Sequence, residues 1–215
     1  MHLTEQERNS LVELVAQAES LTGAQLVTVV VGKSDSYDEA PWKAFALGAA
    51  LAALAVAVAL PRGWEVAVST AHAAAIILGF GAAMALLTAL LPWFARLFIE
   101  RERREIEVAQ FARSMFSSRG LGRTRGRLGV LILISLLERR ATIVADDGFD
   151  GRVSPEDWQQ VVARMTFLLR RRRPAGALRS GVQALQALLL EHGFLGPEEL
   201  ADLLPNAPIE MEEFQ

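Results

Sequence analysis

The sequence contains no cysteine. Disulfides, thiolate nucleophiles and cysteine-held zinc are therefore excluded. Histidine is almost as scarce. His2, His72 and His192 lie far apart in sequence and in expected location, so no zinc site or histidine-based catalytic triad can be built from them. Positive charge is missing from the last stretch: after Arg179 no Lys or Arg follows, whereas seven Asp and Glu do. Net charge is −3 and aromatics do not interleave with the basic residues, so nucleic acid is not an expected partner. The opening "MHLTEQERNS" is polar with no apolar run behind it, which predicts a chain without an N-terminal signal peptide.

What is present is unevenly placed. Hydrophobic residues make up 52% of the chain and charged ones 22%, too many charges for a pure membrane bundle. The apolar residues cluster in two segments. Eighteen residues between Lys43 and Arg62 carry no charge, and neither do the thirty between Glu65 and Arg96. A bilayer core of roughly 30 Å takes about 20 apolar residues in a helix. The second segment clears that length, and the first approaches it. Neither shows the polar face of a soluble amphipathic helix. Trp42 and Trp93 flank the pair on one side and Trp64 lies in the connecting loop, as expected of membrane-interface residues. Gly48 with Ala52, and Gly79 with Ala83, are small residues spaced by four that permit close helix packing. His72, at the outer end of the second segment, reads as an interfacial polar anchor.

Lys and Arg near the ends set the expected orientation. The loop holds Arg62 alone, whereas Lys33, Lys43, Arg96, Arg101, Arg103 and Arg104 lie on the outer flanks. The prediction is a two-span protein of the inner membrane, with both termini and the soluble part cytoplasmic.

The remaining sequence alternates helical and strand patterns. Thr4-Glu5-Gln6-Glu7 is a capping box opening a helix that Gly23 stops, with Leu11, Leu14, Val15, Ala18 and Leu21 at helical spacing. A β-branched strand spans Gln25 to Val31. After the apolar pair comes a charged helix with a stripe at Ile106, Ala109, Phe111 and Met115. "RLGVLILISL" reads as a strand buried on both faces, and "ERRATIVADDG" as its antiparallel partner. Ser154-Pro155 caps a helix, a last helix runs from about Ala177 to His192, and an extended arm begins at Pro205. Doubly buried strands need helices on both sheet faces. The fold expected is α/β, a small α/β/α sandwich with a mixed sheet, interrupted by a two-helix transmembrane hairpin. Its parts are 1–39 and 99–195 for the split domain, 40–98 for the hairpin and 196–215 for an acidic tail.

Three stretches carry a family resemblance: "LTGAQLVTVVV", "GRTRGRLGVLILISLLERRATIVADDGF" and "DGRVSPEDWQQVVARM…ALRSGVQALQALLLEHGF". In order and pattern they resemble the TPM domain, and in particular a bacterial branch with an internal membrane hairpin. The resemblance implies an α/β/α module. It also implies company with metal-binding acid phosphatases, with calcium binders and with assembly factors of membrane complexes.

The residues offer two kinds of site. Asp146, Asp147 and Asp150 cluster on a glycine-containing loop, where carboxylates can hold a hard cation such as calcium or magnesium. Asp35, in "KSDSYDEA", joins them if its strand runs alongside Ala141–Ala145. It stands at the opposite sheet edge if that strand runs parallel to Gly129–Ser135. A solvated Asp-Gly turn is the plain alternative. The second kind is basic: Arg101, Arg103 and Arg104, then Arg123, Arg125 and Arg127 in a glycine-rich loop, then Arg170, Arg171, Arg172 and Arg173. These suit contact with anionic lipid or a partner protein, since the loop lacks the P-loop pattern. The functional expectation is a non-catalytic accessory, assembly or interaction subunit of a membrane protein complex. The alternatives are a divalent-metal-dependent acid phosphatase and a lipid-surface binding module.

Overall fold

The computed structural model describes residues 3–59, 69–196 and 207–211. The chain divides into two compact units, one of residues 1–35 and 105–215, the other of residues 36–104.

The first unit opens with α1, Glu5–Thr22. Thr4 caps it: the Thr4 hydroxyl accepts from Glu7 N at 3.3 Å, and Glu7 Oε2 accepts from Thr4 N at 2.9 Å. The helix ends on Gly23 in the left-handed region, with φ 73°, a conformation glycine adopts without a Cβ clash. Strand β1, Gln25–Val31, follows and is buried throughout. Its Leu26 and Val30 enter one core, while Val27, Val29 and Val31 enter another. Strand β2, Gly129–Ser135, is buried in the same two-sided way. That is why both strands read as unbroken apolar runs rather than as alternation.

The sheet has the order β3-β2-β1-β4. β3 is Arg140–Ala145 and pairs antiparallel with β2. β1 and β2 pair parallel. One face carries α5, Arg101–Ser118, through Val108, Phe111, Ala112 and Met115. The other carries α1 with α6, Pro155–Arg170, and α7, Pro174–Glu191. This is an α/β fold, a four-stranded mixed sheet layered between helices.

Three local expectations shift. The buried stripe of α5 starts at Val108, and Ile106 is exposed. Only the 108, 111, 112, 115 set keeps to one face at 3.6 residues per turn. α7 begins at Pro174 rather than about Ala177, because proline suits a first helical position. The extended arm contributes a fourth strand: β4, Ile209–Met211, pairs parallel with β1. Ile209 and Met211 alternate inward against the α5-side core, and Arg8 Nη2 meets Glu210 Oε1 at 3.1 Å.

The second unit holds α2, Glu39–Ala59, α3, Thr70–Leu90, and the short α4, Pro92–Ala95. At 21 residues each, α2 and α3 reach about 31 Å. Both are long and apolar enough to cross a membrane. They form a hairpin that packs tightly at Gly48 and Gly81. A Cβ on Gly48 would stand 3.2 Å from Gly81 Cα, and one on Gly81 would stand 3.1 Å from Phe45 O. Gly48 and Ala52 are buried as the spacing suggests, but Gly79 and Ala83 face outward. The inward positions of α3 are Gly81 and Thr88, one heptad apart. Ser69 caps α3, its hydroxyl accepting from His72 N at 3.3 Å and lying 2.7 Å from His72 Nδ1.

Candidate functional sites at the two ends of the sheet

Strand direction decides which carboxylates meet. In β1 and β2, Gln25 stands opposite Gly129 and Val31 opposite Ser135. β3 returns, with Ala145 opposite Val130. Asp146 therefore lies at the amino end of β2, where its N–H donates to Gly129 O at 3.0 Å. Asp35 follows the carboxyl end of β1, a seven-residue strand or about 23 Å away. Asp35 and the Asp146 loop are at opposite ends, so the four carboxylates are not one cluster. The physical reason is the connection: α5 between β1 and β2 makes a strand–helix–strand crossover, which joins parallel strands.

At the amino end, Asp146 is buried, with its side chain 4% exposed. Its Oδ1 accepts from Arg127 Nη2 at 3.1 Å and from Asp147 N at 2.9 Å. The same Nη2 lies 2.7 Å from Asp147 Oδ2. The Asp146 hydrogen bond, and then the attraction of both carboxylates, push the Arg127 guanidinium above its ordinary value. The glycines hold this corner together. A Cβ on Gly148 would lie 2.5 Å from Arg127 O and 2.6 Å from Gly126 O. Gly126, at φ 74°, and Arg127, at φ 56°, turn the basic loop through the left-handed region to reach that position. Asp146 Oδ2 and Thr124 Oγ1 are buried without a hydrogen-bond partner. Asp150 and Arg123 are exposed, and the side chain of Arg125 lies outside the described ones. Among the described residues, no three His, Cys, Asp or Glu side chains gather closely enough to hold a metal.

At the carboxyl end stands a residue that the sequence pattern did not single out. Glu138, in the β2–β3 turn, is buried. Its Oε1 accepts from Ser34 N at 2.9 Å, and its Oε2 accepts from the fully buried Ser135 hydroxyl. A lone acid following "LILISLL" was the available signal, because an ionised group beside a buried strand needs donors.

The arginines separate by end. α6 begins where β3 ends, and α7 finishes beside it: Arg152 Nη2 donates to His192 O at 2.9 Å, and His192 Nε2 lies 3.4 Å from Asp157 Oδ2. The α6–α7 joint, Arg170 to Arg173, is consequently at the carboxyl end of β1 and β2. All four arginines are exposed. The Arg171 guanidinium lies 4.2 Å above the Phe167 ring, which is itself 55% exposed. Arg123 and Arg127 sit at the other end, in the loop leading into β2.

Within the second unit, Arg103 Nη1 pairs with Glu39 Oε1 at 2.8 Å, and Lys43 Nζ reaches Phe98 O and Glu100 Oε1, both at 3.4 Å. These contacts tie the start of α2 to residues 98–103, which follow α4. Arg104 is half-buried, and the side chain of Arg101 is outside the described ones. Trp42, near the start of α2, and Trp93, in α4, are exposed. Trp64 and Arg62 lie outside the described residues.

These features define a mixed-sheet α/β/α domain cut once by an apolar helical hairpin. The TPM domain family model matches residues 96–188. That match takes in everything from the end of α4 to most of α7. The NMR structure of the BA42 protein from the psychrophilic bacterium Bizionia argentinensis is similar at 15% identity, covering 98% of this chain and 96% of its own, with a TM-score of 0.59. The likeness is one of fold. No curated protein matches the sequence.

Proposed function

We propose that this chain is a membrane-anchored TPM module that works without catalysis, as an accessory or assembly subunit of a membrane protein complex. The carrying observation is the surface of the hairpin. Only 17% and 11% of the apolar windows of α2 and α3 are buried, which leaves Leu51, Leu54, Leu78, Phe80 and Leu86 facing outward. A surface of that extent needs lipid or protein around it. Trp42 and Trp93 suit an interface, and the outer-flank cations favour a domain on the cytoplasmic side of the inner membrane. The separation of Asp35 from Asp146, and the hold of Arg127 on Asp146 and Asp147, favour a role without metal catalysis. Extraction in mild detergent, size separation and mass spectrometry test the reading. A stoichiometric partner is expected, and a lone 23.4 kDa species contradicts it.

A second reading is a metal-dependent phosphatase, as the label TPM phosphatase on the family model suggests. The unpartnered Oδ2 of Asp146 favours it. The residues fit it poorly, since Asp35 is at the far end and Arg127 takes the place a cation would hold. Phosphate-ester hydrolysis abolished both by chelator and by Asp146→Asn would establish this reading over the first.

A further inference from the structure

We propose that the α6–α7 turn, Arg170 to Arg173 with Phe167, docks on anionic lipid head groups of the membrane that holds the hairpin. The inference rests on the hairpin being a membrane anchor. It follows from where the chain leaves the split domain. Asp35 comes after the carboxyl end of β1, and only Ser36, Tyr37 and Asp38 separate it from α2. The chain returns at Glu105, whose carboxylate pairs with Arg140, the first residue of β3. Departure and return thus share one end of the sheet, and that end carries Arg170 to Arg173.

The chemistry of the turn fits a lipid surface. Four consecutive guanidinium groups are exposed, and no carboxylate pairs with them among the described residues. The exposed Phe167 ring beneath Arg171 supplies an apolar body with a cationic edge, a combination that suits the head-group layer. Cations close to an anionic leaflet each strengthen attachment. The glycine-rich basic loop, at the opposite end, has no such access, and its Arg127 is already neutralised by Asp146 and Asp147. The two arginine clusters therefore have different roles, although their composition is alike.

The absence of cysteine allows single reporters. The full chain, in nanodiscs of phosphatidylcholine with or without phosphatidylglycerol, is labelled with a fluorophore at Ala83→Cys, Ala175→Cys or Ser117→Cys. Spin-labelled lipids then quench from the acyl chain or from the head group. Strong acyl-chain quenching at position 83 shows the span. Head-group quenching at 175 should exceed that at 117 several-fold with phosphatidylglycerol. The excess should vanish at high salt and when Arg170 to Arg173 are all replaced by Gln. Equal quenching at 175 and 117, or an excess indifferent to phosphatidylglycerol, overturns the docking while leaving the anchor. No acyl-chain quenching at 83 overturns the anchor and the docking together.

Discussion

At the scale of single residues, the acidic loop and the buried Glu138 behave as structural fastenings. Arg127 satisfies one buried and one exposed carboxylate, so Arg127→Ala should lower the thermal midpoint in detergent. Calcium or magnesium should leave the wild-type midpoint unmoved, and a metal-dependent rise would show that a cation displaces Arg127. Glu138→Ala strands the Ser34 N–H and the Ser135 hydroxyl in the interior, which should destabilise the domain by about 1–3 kcal/mol in a denaturant titration. The acidity of the Asp146 loop was legible in the sequence. Its pairing with Arg127, nineteen residues away, was not, because that depends on two loops meeting where Gly148 packs on the Gly126–Arg127 backbone. Glu138 was visible only as a charge in a turn, since one of its two donors, the Ser34 N–H, comes from far back in the chain.

At the scale of elements, local patterns were legible and phases were less so. The Thr4 capping box follows from spacing alone and is formed; the Ser154 cap is formed too, and Asp157 makes it a second capping box. In the second, the Ser154 hydrogen bond is the main influence holding the Asp157 carboxyl below its ordinary value of 3.8. A carboxylate lowered in the folded state stabilises it above the unfolded value and loses that effect as pH falls through the folded one. Asp157→Ala should therefore melt earlier than wild type at neutral pH. The two melting curves should converge as pH falls below the carboxylate range. In the hairpin, the small residues that signalled close packing were right for α2 and out of phase for α3. The spacing of four at Gly79 and Ala83 is real, but the α3 face that meets α2 is set by Gly81 and Thr88. Gly81→Leu would drive its side chain into the Phe45 ring and carbonyl, whereas nothing lies within 4 Å of a Cβ on Gly79. Gly81→Leu should lower the heat resistance of the detergent-solubilised protein by about 1–3 kcal/mol, the usual range for overpacking, and Gly79→Leu should change it little.

At the scale of the whole molecule, two facts lay beyond the reach of sequence pattern. The direction of β1 came from the helix connecting it to β2, and it separated Asp35 from the carboxylates expected to join it. The pairing of β4 with β1 brought a segment 180 residues distant to the free edge of the sheet, where Ile209 and Met211, on either side of Glu210, pack against the core. The order of the longer helices and strands from α1 to α7 was readable, by contrast, because each carries its own period and cap; the short α4 and β4 carry neither. The central proposal is that the α/β domain, divided by its hairpin, lies wholly on one side of a membrane. Single cysteines at Ser20, Ser69 and Ser117 test it with a membrane-impermeant maleimide on intact spheroplasts. The account requires Ser69→Cys to react from outside, and Ser20→Cys and Ser117→Cys to react only after permeabilisation. Labelling of all three from the same side, or release of the chain by alkaline carbonate, would contradict it.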